Sequence, residues 1–301
     1  MTWRAKTSVG WALSLLGAGL IGALDGWLLN RLLNNHIRPQ QISFLSFLMG
    51  LIVLLSVPVL LFLVYQALSG LTLRYRLDRN GVIIRWAGAE QIIPMHNIEG
   101  ITPGQELGDT IVWRRGLHWP GHVRGEGSIP GIGRTRFLAT QPLAGQLLLV
   151  TPGLSFAISP SDPEGFRRAF AARRELGPNR LLQQERHPAR WSTWSFWTDR
   201  TARILLGAAL FVNLGLFGYL SARFPTLDIQ LPLHFNNLGQ VDRIGTKMEL
   251  FTLPIIGLIV LGTNVVLGLA LYKRERAGSY LLWGAAAAAQ TLFWLATFSI
   301  V

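Results

Sequence analysis

Five long apolar runs constrain this chain more than any other feature. They cover about residues 8–29, 44–68, 204–220, 250–271 and 280–300. Each approaches or exceeds the roughly 20 residues with which an α-helix crosses a bilayer. Half of the 301 residues are hydrophobic and 15% are charged, so the composition excludes an ordinary soluble protein. The sequence therefore predicts a membrane α-helical fold with five transmembrane helices.

A polar region interrupts the apolar runs after the second of them and is long enough for one small domain. We expect residues 1–69 to hold two transmembrane helices and residues 70–180 to form this domain. Residues 181–200 follow as a segment at the membrane interface, and residues 201–301 as a three-helix membrane domain.

The charge balance predicts the orientation. The formal net charge is +12, and all but three of the 28 basic residues are arginine. Basic residues near the spans concentrate on the side of the N-terminus, residues 70–180 and residues 273–276. By the positive-inside rule, this side is cytoplasmic and the C-terminus lies outside. We expect contact with anionic lipid at the inner face and no nucleic-acid partner. Because cysteine is absent, disulfides and thiolate metal sites are excluded.

The pattern of the polar region predicts β-strands followed by one closing helix. Residues 71–78 alternate apolar and polar side chains, Asn80-Gly81 is typical of a type I′ turn, and residues 82–86 form the returning strand. A second hairpin is predicted at residues 146–159. A helix then follows to residue 175, with Phe166, Phe170 and Ala171 on its apolar face.

Residues 115–140 are rich in glycine, which favours turns between strands. A phosphate-cradling loop is less consistent with the sequence, because the Gly-Lys-Ser/Thr element is absent. Arginine and tryptophan side chains here predict a basic, aromatic rim for an anionic headgroup. The rim residues are Trp113, Arg114, Arg115, Trp119, Arg124, Arg134 and Arg136.

Two further patterns concern the membrane. Trp191, Trp194 and Trp197 recur every third residue, which predicts one face of a helix lying along the inner interface. Asp25 stands near the outer end of the first span, where we expect it to reach water. A proton relay or ion path usually needs ionisable groups near the midplane, and none is evident, so a coupled transporter is disfavoured.

The polar region also resembles a known family. The segments 75–84, 93–98 and 158–166 are similar to the pleckstrin-homology-like (PH-like) domains of bacterial membrane proteins. The resemblance covers about residues 70–175. It implies a strongly bent, seven-stranded sheet closed by a C-terminal helix, acting as a binding or assembly module without catalysis, in a bacterial inner-membrane protein.

A compact polar motif at residues 231–247 joins the third and fourth spans. Its special residues are Pro232, His234, Asn236, Gly239, Asp242, Gly245 and Lys247. With Leu253-Pro254, it resembles a small bacterial membrane domain of unknown function, found alone and in proteins that protect a cell from its own peptide toxin. Three interpretations stay open: a compact outer cap, recognition of a partner from outside, or a metal or catalytic site on His234 and Asp242.

These patterns favour a non-enzymatic membrane protein for recognition or signalling, in envelope stress or protection from membrane-active peptides. An accessory subunit of a larger membrane complex is the alternative, and a transporter or hydrolase is disfavoured. We expect no cofactor and no metal. The candidate binding residues are His234, Asn236, Asp242, Lys247, Arg114, Arg115, Arg124 and Arg134.

Overall fold

The computed structural model describes residues 1–6, 9–36, 42–107, 110–236 and 240–301. Within them the chain divides into two compact units. The first unit combines residues 1–22 and 58–193, and the second combines residues 23–57 and 194–301.

Among the described residues, five helices are long and apolar enough to cross a membrane, which confirms the five predicted apolar helices and indicates a multi-pass membrane protein. They are α1 (Gly10–Arg31), α2 (Phe44–Thr72), α4 (Arg200–Arg223), α5 (Thr252–Leu271) and α6 (Arg276–Ile300). The sixth α-helix of the described residues, α3 (Pro163–Glu175), is short and amphipathic.

The described residues of the first unit form two β-sheets. One is antiparallel, in the order β1 (Thr2–Arg4), β2 (Arg74–Leu77), β3 (Gly81–Trp86), β4 (Ala89–Pro94) and β11 (Arg186–His187). The other has the order β5 (Gly100–Pro103), β9 (Leu147–Val150), β10 (Ser155–Ile158), β8 (Gly133–Ala139), β7 (His122–Ile129) and β6 (Val112–Trp119). Strands β8 and β10 pair in parallel, and the other neighbours pair antiparallel.

The strand count differs from the seven strands that the resemblance implied. The described part of residues 74–158 contains nine strands in two sheets. The glycine-rich stretch, which we expected to form turns, supplies β6, β7 and β8 as well as the tight connections between them.

Flanking segments complete the first sheet. Strand β1 at the N-terminus pairs with β2, and β11 pairs with the opposite edge strand β4. Both pairings satisfy backbone groups that a free edge would leave open. Tyr75 links the two sheets, because its hydroxyl donates to the carbonyl oxygen of Leu138 at 2.8 Å and accepts from the amide of Ser159 at 3.2 Å. Burial raises the pKa of Tyr75 to about 12.

The predicted hairpin forms, with β2 and β3 paired up to Leu77 opposite Val82, but its turn is not of the predicted type I′. Neither Asn80 nor Gly81 takes a positive φ, and the Asp78 carboxylate instead accepts from both of their amides at 2.8 and 3.1 Å. The two-residue turn with positive φ joins β3 to β4, at Ala87 (φ 42°) and Gly88 (φ 80°). Two hydrogen bonds to the Asp78 side chain thus take the place of the type I′ turn that an Asn-Gly pair favours.

Helix α3 closes the core of the first unit. The Asp162 side chain caps it by accepting from the amide of Gly165 at 2.8 Å. Phe166 and Phe170 are buried as predicted, but Ala171 is exposed and Ala169 packs against the core instead. The apolar stripe therefore follows positions 166, 169 and 170, the i, i+3, i+4 spacing of an amphipathic helix.

Buried amides hold α4, α5 and α6 together in the second unit. Asn213 donates to the carbonyl oxygen of Pro254 at 3.0 Å and to Gln290 Oε1 at 2.9 Å. Gln290 donates in turn to the carbonyl oxygen of Gly257 at 2.8 Å. Asn213 and Gln290 have no solvent exposure, so this network supplies the interhelical hydrogen bonds that apolar helices alone lack.

Asp25 does not reach water, contrary to our expectation. Its side chain lies against Ser56 of α2, and the residue is 8% exposed. The physical reason is that Ser56 offers Asp25 a hydrogen-bond partner on the neighbouring helix.

Gly257 tests the amide network. A Cβ at this position would lie 2.4 Å from Gln290 Oε1 and 2.7 Å from Asn213 Nδ2, so Gly257→Ala must displace the network. We expect this variant to lose about 2 kcal/mol of stability, seen as a lower thermal unfolding midpoint. Gly262→Ala on the same helix is the matched control, because a Cβ there meets nothing within 4 Å. Equal midpoints for the two variants would contradict the packing described.

Candidate functional site

The glycines of β6 and β7 let these two strands approach closely. Gly125 has a φ of 149°, a region that favours glycine, and a Cβ there would lie 2.3 Å from the carbonyl oxygen of Arg115. Gly116 is similarly crowded, with a Cβ position 2.9 Å from the carbonyl oxygen of Arg124. The glycines therefore bring arginines from the two strands onto one surface.

An arginine-lined cavity of about 520 Å³ lies between these strands and the C-terminal part of α2. Four arginines and one glutamate supply its charge, and an aromatic wall comes from α2 and β3. The side chains that define it are Phe62, Tyr65, Gln66, Trp86, Arg115, Arg124, Glu126, Arg136, Phe137 and Arg186. All of them belong to the first unit.

Arg124 is the most enclosed of these cations. Its Nη2 donates to the carbonyl oxygen of Ser69 at 3.1 Å, and its guanidinium lies 6.0 Å from the ring centre of Trp86. Its Nε is buried and has no partner among the described residues. Burial lowers the pKa of Arg124, while the nearby Tyr65 hydroxyl acts in the opposite direction. An unpaired donor on a buried cation is the feature that an anion would satisfy.

Arg136 is already neutralised by a carboxylate. Its Nε donates to Glu126 Oε1 at 3.0 Å, and its Nη1 donates to Gln91 Oε1 at 3.1 Å. The hydrogen bond from Arg136 is the main reason that the pKa of Glu126 lies below its usual value. By contrast, Arg115 and Arg186 form no ion pair with another described residue. The cavity therefore keeps an excess of positive charge.

A cluster of buried polar groups lies near Arg124, where α2 packs on β7. His122 is 1% exposed, and neither ring nitrogen has a partner among the described residues. Gly70 lies directly against it, because a Cβ there would be 2.4 Å from the imidazole Cε1. Gln66 Nε2, Ser69 Oγ and Trp119 Nε1 are also buried without described partners. Burial, together with the charge of Arg124, lowers the pKa of His122 to about 4.

The structure separates the four arginines that the sequence suggested. Arg115 and Arg124 line the cavity, whereas Arg114 does not. Arg134 also lies outside, with 57% of its side chain exposed and a distance of 3.6 Å to Glu126. The expected rim residues Trp113 and Trp119 pack against Phe137 and Phe62 instead.

Sequence reasoning missed the contributions of Tyr65, Gln66 and Arg186. The first two stand at the end of an apolar run, and this break in hydrophobicity is the signal that could have identified them. Arg186 reaches the cavity because β11 pairs with β4, in the register Arg186 opposite Gln91. A two-residue strand carries no periodicity, so the sequence held no comparable signal for it.

The polar motif at residues 231–247 forms a hairpin of β12 (Gln230–Phe235) and β13 (Val241–Thr246) in the second unit. Asn236 forms its turn, since its amide donates to the carbonyl oxygen of Gln240 at 2.8 Å and its side chain accepts from the Gln240 amide at 2.9 Å. Arg243 pairs with Glu249 at 2.9 Å. The side chain of His234, and Gly239 as a whole, lie outside the described residues.

Three residues fix the hairpin to the helices. Lys247 Nζ donates to the carbonyl oxygens of Phe224 and Leu227, at 3.1 and 3.2 Å, just after α4. Thr246 and Glu249 form a capping box at the turn that leads into α5. This geometry is that of a structural cap. No group of three potential metal ligands of the histidine, cysteine, aspartate or glutamate type occurs among the described residues.

The tryptophan segment is not one helix. Residues Arg190–Thr193 and Ser195–Thr198 form two separate 3₁₀ turns, so the predicted common face is wrong. Trp197 is 54% exposed, and Trp194 is half-buried. The side chain of Trp191 lies outside the described residues. A polar residue, Asp199, ends the segment by capping α4 and accepting from Tyr272 and Tyr280, each at 2.5 Å.

Comparisons with known proteins agree with both resemblances. Residues 73–174 match the bacterial PH domain family, which covers β2 to α3. Residues 205–258 match a domain of unknown function, DUF1648, which covers most of α4, the hairpin of β12 and β13 and the start of α5. No curated protein matches the chain, and no solved structure matches it.

His122 makes the stability of the first unit depend on pH. Its pKa falls from 6.5 to about 4 on folding, so the folded state binds its proton less readily than the unfolded chain. The stability that this pKa shift contributes to the folded state is complete above pH 6.5 and is lost as the pH falls towards 4. We expect the unfolding midpoint of the wild type to fall more steeply over this window than that of His122→Gln. His187→Gln, at an exposed histidine, is the control and should follow the wild type.

Lys247→Met tests the structural role of the motif at residues 231–247. The variant leaves two backbone carbonyls without their donor, which we expect to cost about 1–3 kcal/mol of stability in the second unit. Lys273→Met, at an exposed position, should leave the unfolding midpoint unchanged. An unchanged midpoint in Lys247→Met would show that this lysine does not hold the hairpin.

Proposed function

We propose that this protein is a non-enzymatic, membrane-anchored recognition protein whose PH-like domain binds an anionic ligand. The observation that carries the proposal is the cavity at α2, where Arg115, Arg124 and Arg186 have no carboxylate partner among the described residues. The guanidinium group is suited to this role, because it remains charged and offers several donors in a fixed geometry.

The length of α2 supports a ligand that comes from the bilayer. Its 29 residues extend about 43 Å, whereas the hydrocarbon layer is about 30 Å thick. With Phe44 at one hydrocarbon boundary, roughly the last nine residues of α2 project beyond the other. Tyr65 and Gln66 belong to this projecting part and line the cavity. The cavity then opens at headgroup depth, where lipid phosphates are concentrated.

The charge distribution supports an inner-face location. The positive-inside rule places the N-terminus and the PH-like domain in the cytoplasm, and the outer hairpin and C-terminus on the other side of the bacterial inner membrane. Anionic lipids give the cytoplasmic leaflet its negative surface potential, which attracts basic segments. We therefore propose the phosphate of an anionic phospholipid as the ligand, with Arg124 at the most enclosed point of the site.

Two adjacent arginines provide a matched test. Arg114 and Arg115 are both exposed on β6, but only Arg115 lines the cavity. The full chain is reconstituted in phosphatidylcholine nanodiscs with a minor fraction of phosphatidylglycerol, and the lipid retained by the protein is measured by native mass spectrometry. We expect the wild type and Arg114→Glu to enrich phosphatidylglycerol, and Arg115→Glu to bind it about tenfold more weakly, as expected for loss of about 1.4 kcal/mol.

Two results would contradict this assignment. Equal loss of phosphatidylglycerol binding in Arg114→Glu and Arg115→Glu would show that binding depends on general surface charge and not on the cavity. Displacement of the retained lipid by inorganic phosphate would instead assign the cavity to a soluble phosphate. A physiological role in envelope stress or in protection from membrane-active peptides belongs to the same proposal, because a lipid-reading domain on five membrane helices is suited to detect changes in the bilayer.

A further inference from the structure

Asp25 is an acidic side chain buried between two apolar helices. Its Oδ2 lies 2.5 Å from Ser56 Oγ on α2, and its Oδ1 is buried without a hydrogen-bond partner among the described residues. The residue is 8% exposed. Asp25 and Ser56 both belong to the second unit, whereas the residues that line the cavity belong to the first.

The Ser56 hydroxyl lies within hydrogen-bonding distance of two oxygen atoms. Ser56 Oγ lies 2.5 Å from Asp25 Oδ2 and 2.7 Å from the carbonyl oxygen of Val53. Both distances are in the range of O–H···O hydrogen bonds. A serine hydroxyl has one hydrogen, and the Val53 carbonyl can only accept. If Ser56 donates to Val53, the short contact with Asp25 requires a hydrogen on the carboxyl group.

The surrounding helices offer no compensating charge. Helix α2 contains no aspartate, glutamate, lysine or arginine, and the other charged residue of α1 is Arg31. Arg31 lies about 9 Å further along the helix axis and packs over the ring of Trp27 at 5.4 Å. An ionised carboxylate here would keep one oxygen desolvated and unpaired, which is far more costly than burying a neutral acid.

We infer that Asp25 is a membrane-embedded proton-binding site. Its Oδ2–H donates to Ser56 Oγ, and the Ser56 hydroxyl donates to the Val53 carbonyl oxygen. In this arrangement, each of the two short O···O contacts contains one hydrogen. The atom left without a described partner is then Oδ1, the neutral carbonyl oxygen of the acid. The ligand of the site is a proton, and the bound proton links α1 to α2. The inference is independent of anion binding by the PH-like domain.

Infrared spectroscopy tests the protonation directly. The full chain is labelled with [4-¹³C]aspartate and studied in nanodiscs at neutral pH, where an exposed aspartate is ionised. We expect an isotope-sensitive carboxylic-acid C=O band in the wild type and its complete loss in Asp25→Asn. Asp228→Asn, at an exposed position, should retain the band. Absence of the band in the wild type, or its persistence in Asp25→Asn, would overturn the inference.

Carbodiimide chemistry provides a second measurement. The carboxyl oxygen adds to the carbodiimide carbon, the carboxyl proton moves to nitrogen, and rearrangement leaves a stable N-acylurea with no group lost. We expect dicyclohexylcarbodiimide to modify Asp25 at neutral pH, as identified by peptide mass spectrometry, and a water-soluble carbodiimide to leave it unmodified. Equal modification by the two reagents would show a water-exposed carboxyl group and would overturn the buried site.

Discussion

The packing of the last two turns of α2 on strand β7 is the contact on which the first unit depends. Gly70 leaves room for the imidazole of His122, and the carbonyl oxygen of Ser69 accepts from Arg124. This contact joins a membrane helix to the β-domain through buried polar groups rather than through apolar packing alone. Arg124 takes part in this contact and also lines the cavity.

The β-domain is completed by chain segments on both sides of it. Strand β1 precedes the first membrane helix and β11 follows α3, yet both extend the same sheet. The N-terminal amino group also donates to the carbonyl oxygen of Leu77 at 3.0 Å. The sheet therefore holds the start of α1 and the segment after α3 close to the domain. Arg186 enters the cavity as a consequence of this closure.

The three C-terminal helices use polar side chains in two different ways. Asn213 and Gln290 connect helices inside the bundle, where a hydrogen bond replaces the missing hydrophobic driving force. Lys247 instead satisfies carbonyls beyond the end of α4. The motif that looked most like a functional signature in the sequence therefore supplies a cap. The PH-like domain, whose sequence is less distinctive, supplies most of the lining of the arginine-lined cavity.

The sequence by itself determined the five apolar helices, the β-rich domain and its closing helix, because hydrophobic runs and alternation depend on neighbouring residues. It also indicated Arg115 and Arg124 through the local density of arginine. Only the tertiary structure decided that Arg186, Tyr65 and Gln66 join them, and that Asp25 is buried against Ser56. These outcomes depend on pairings between residues that are distant along the chain, and no local periodicity records which surfaces will meet.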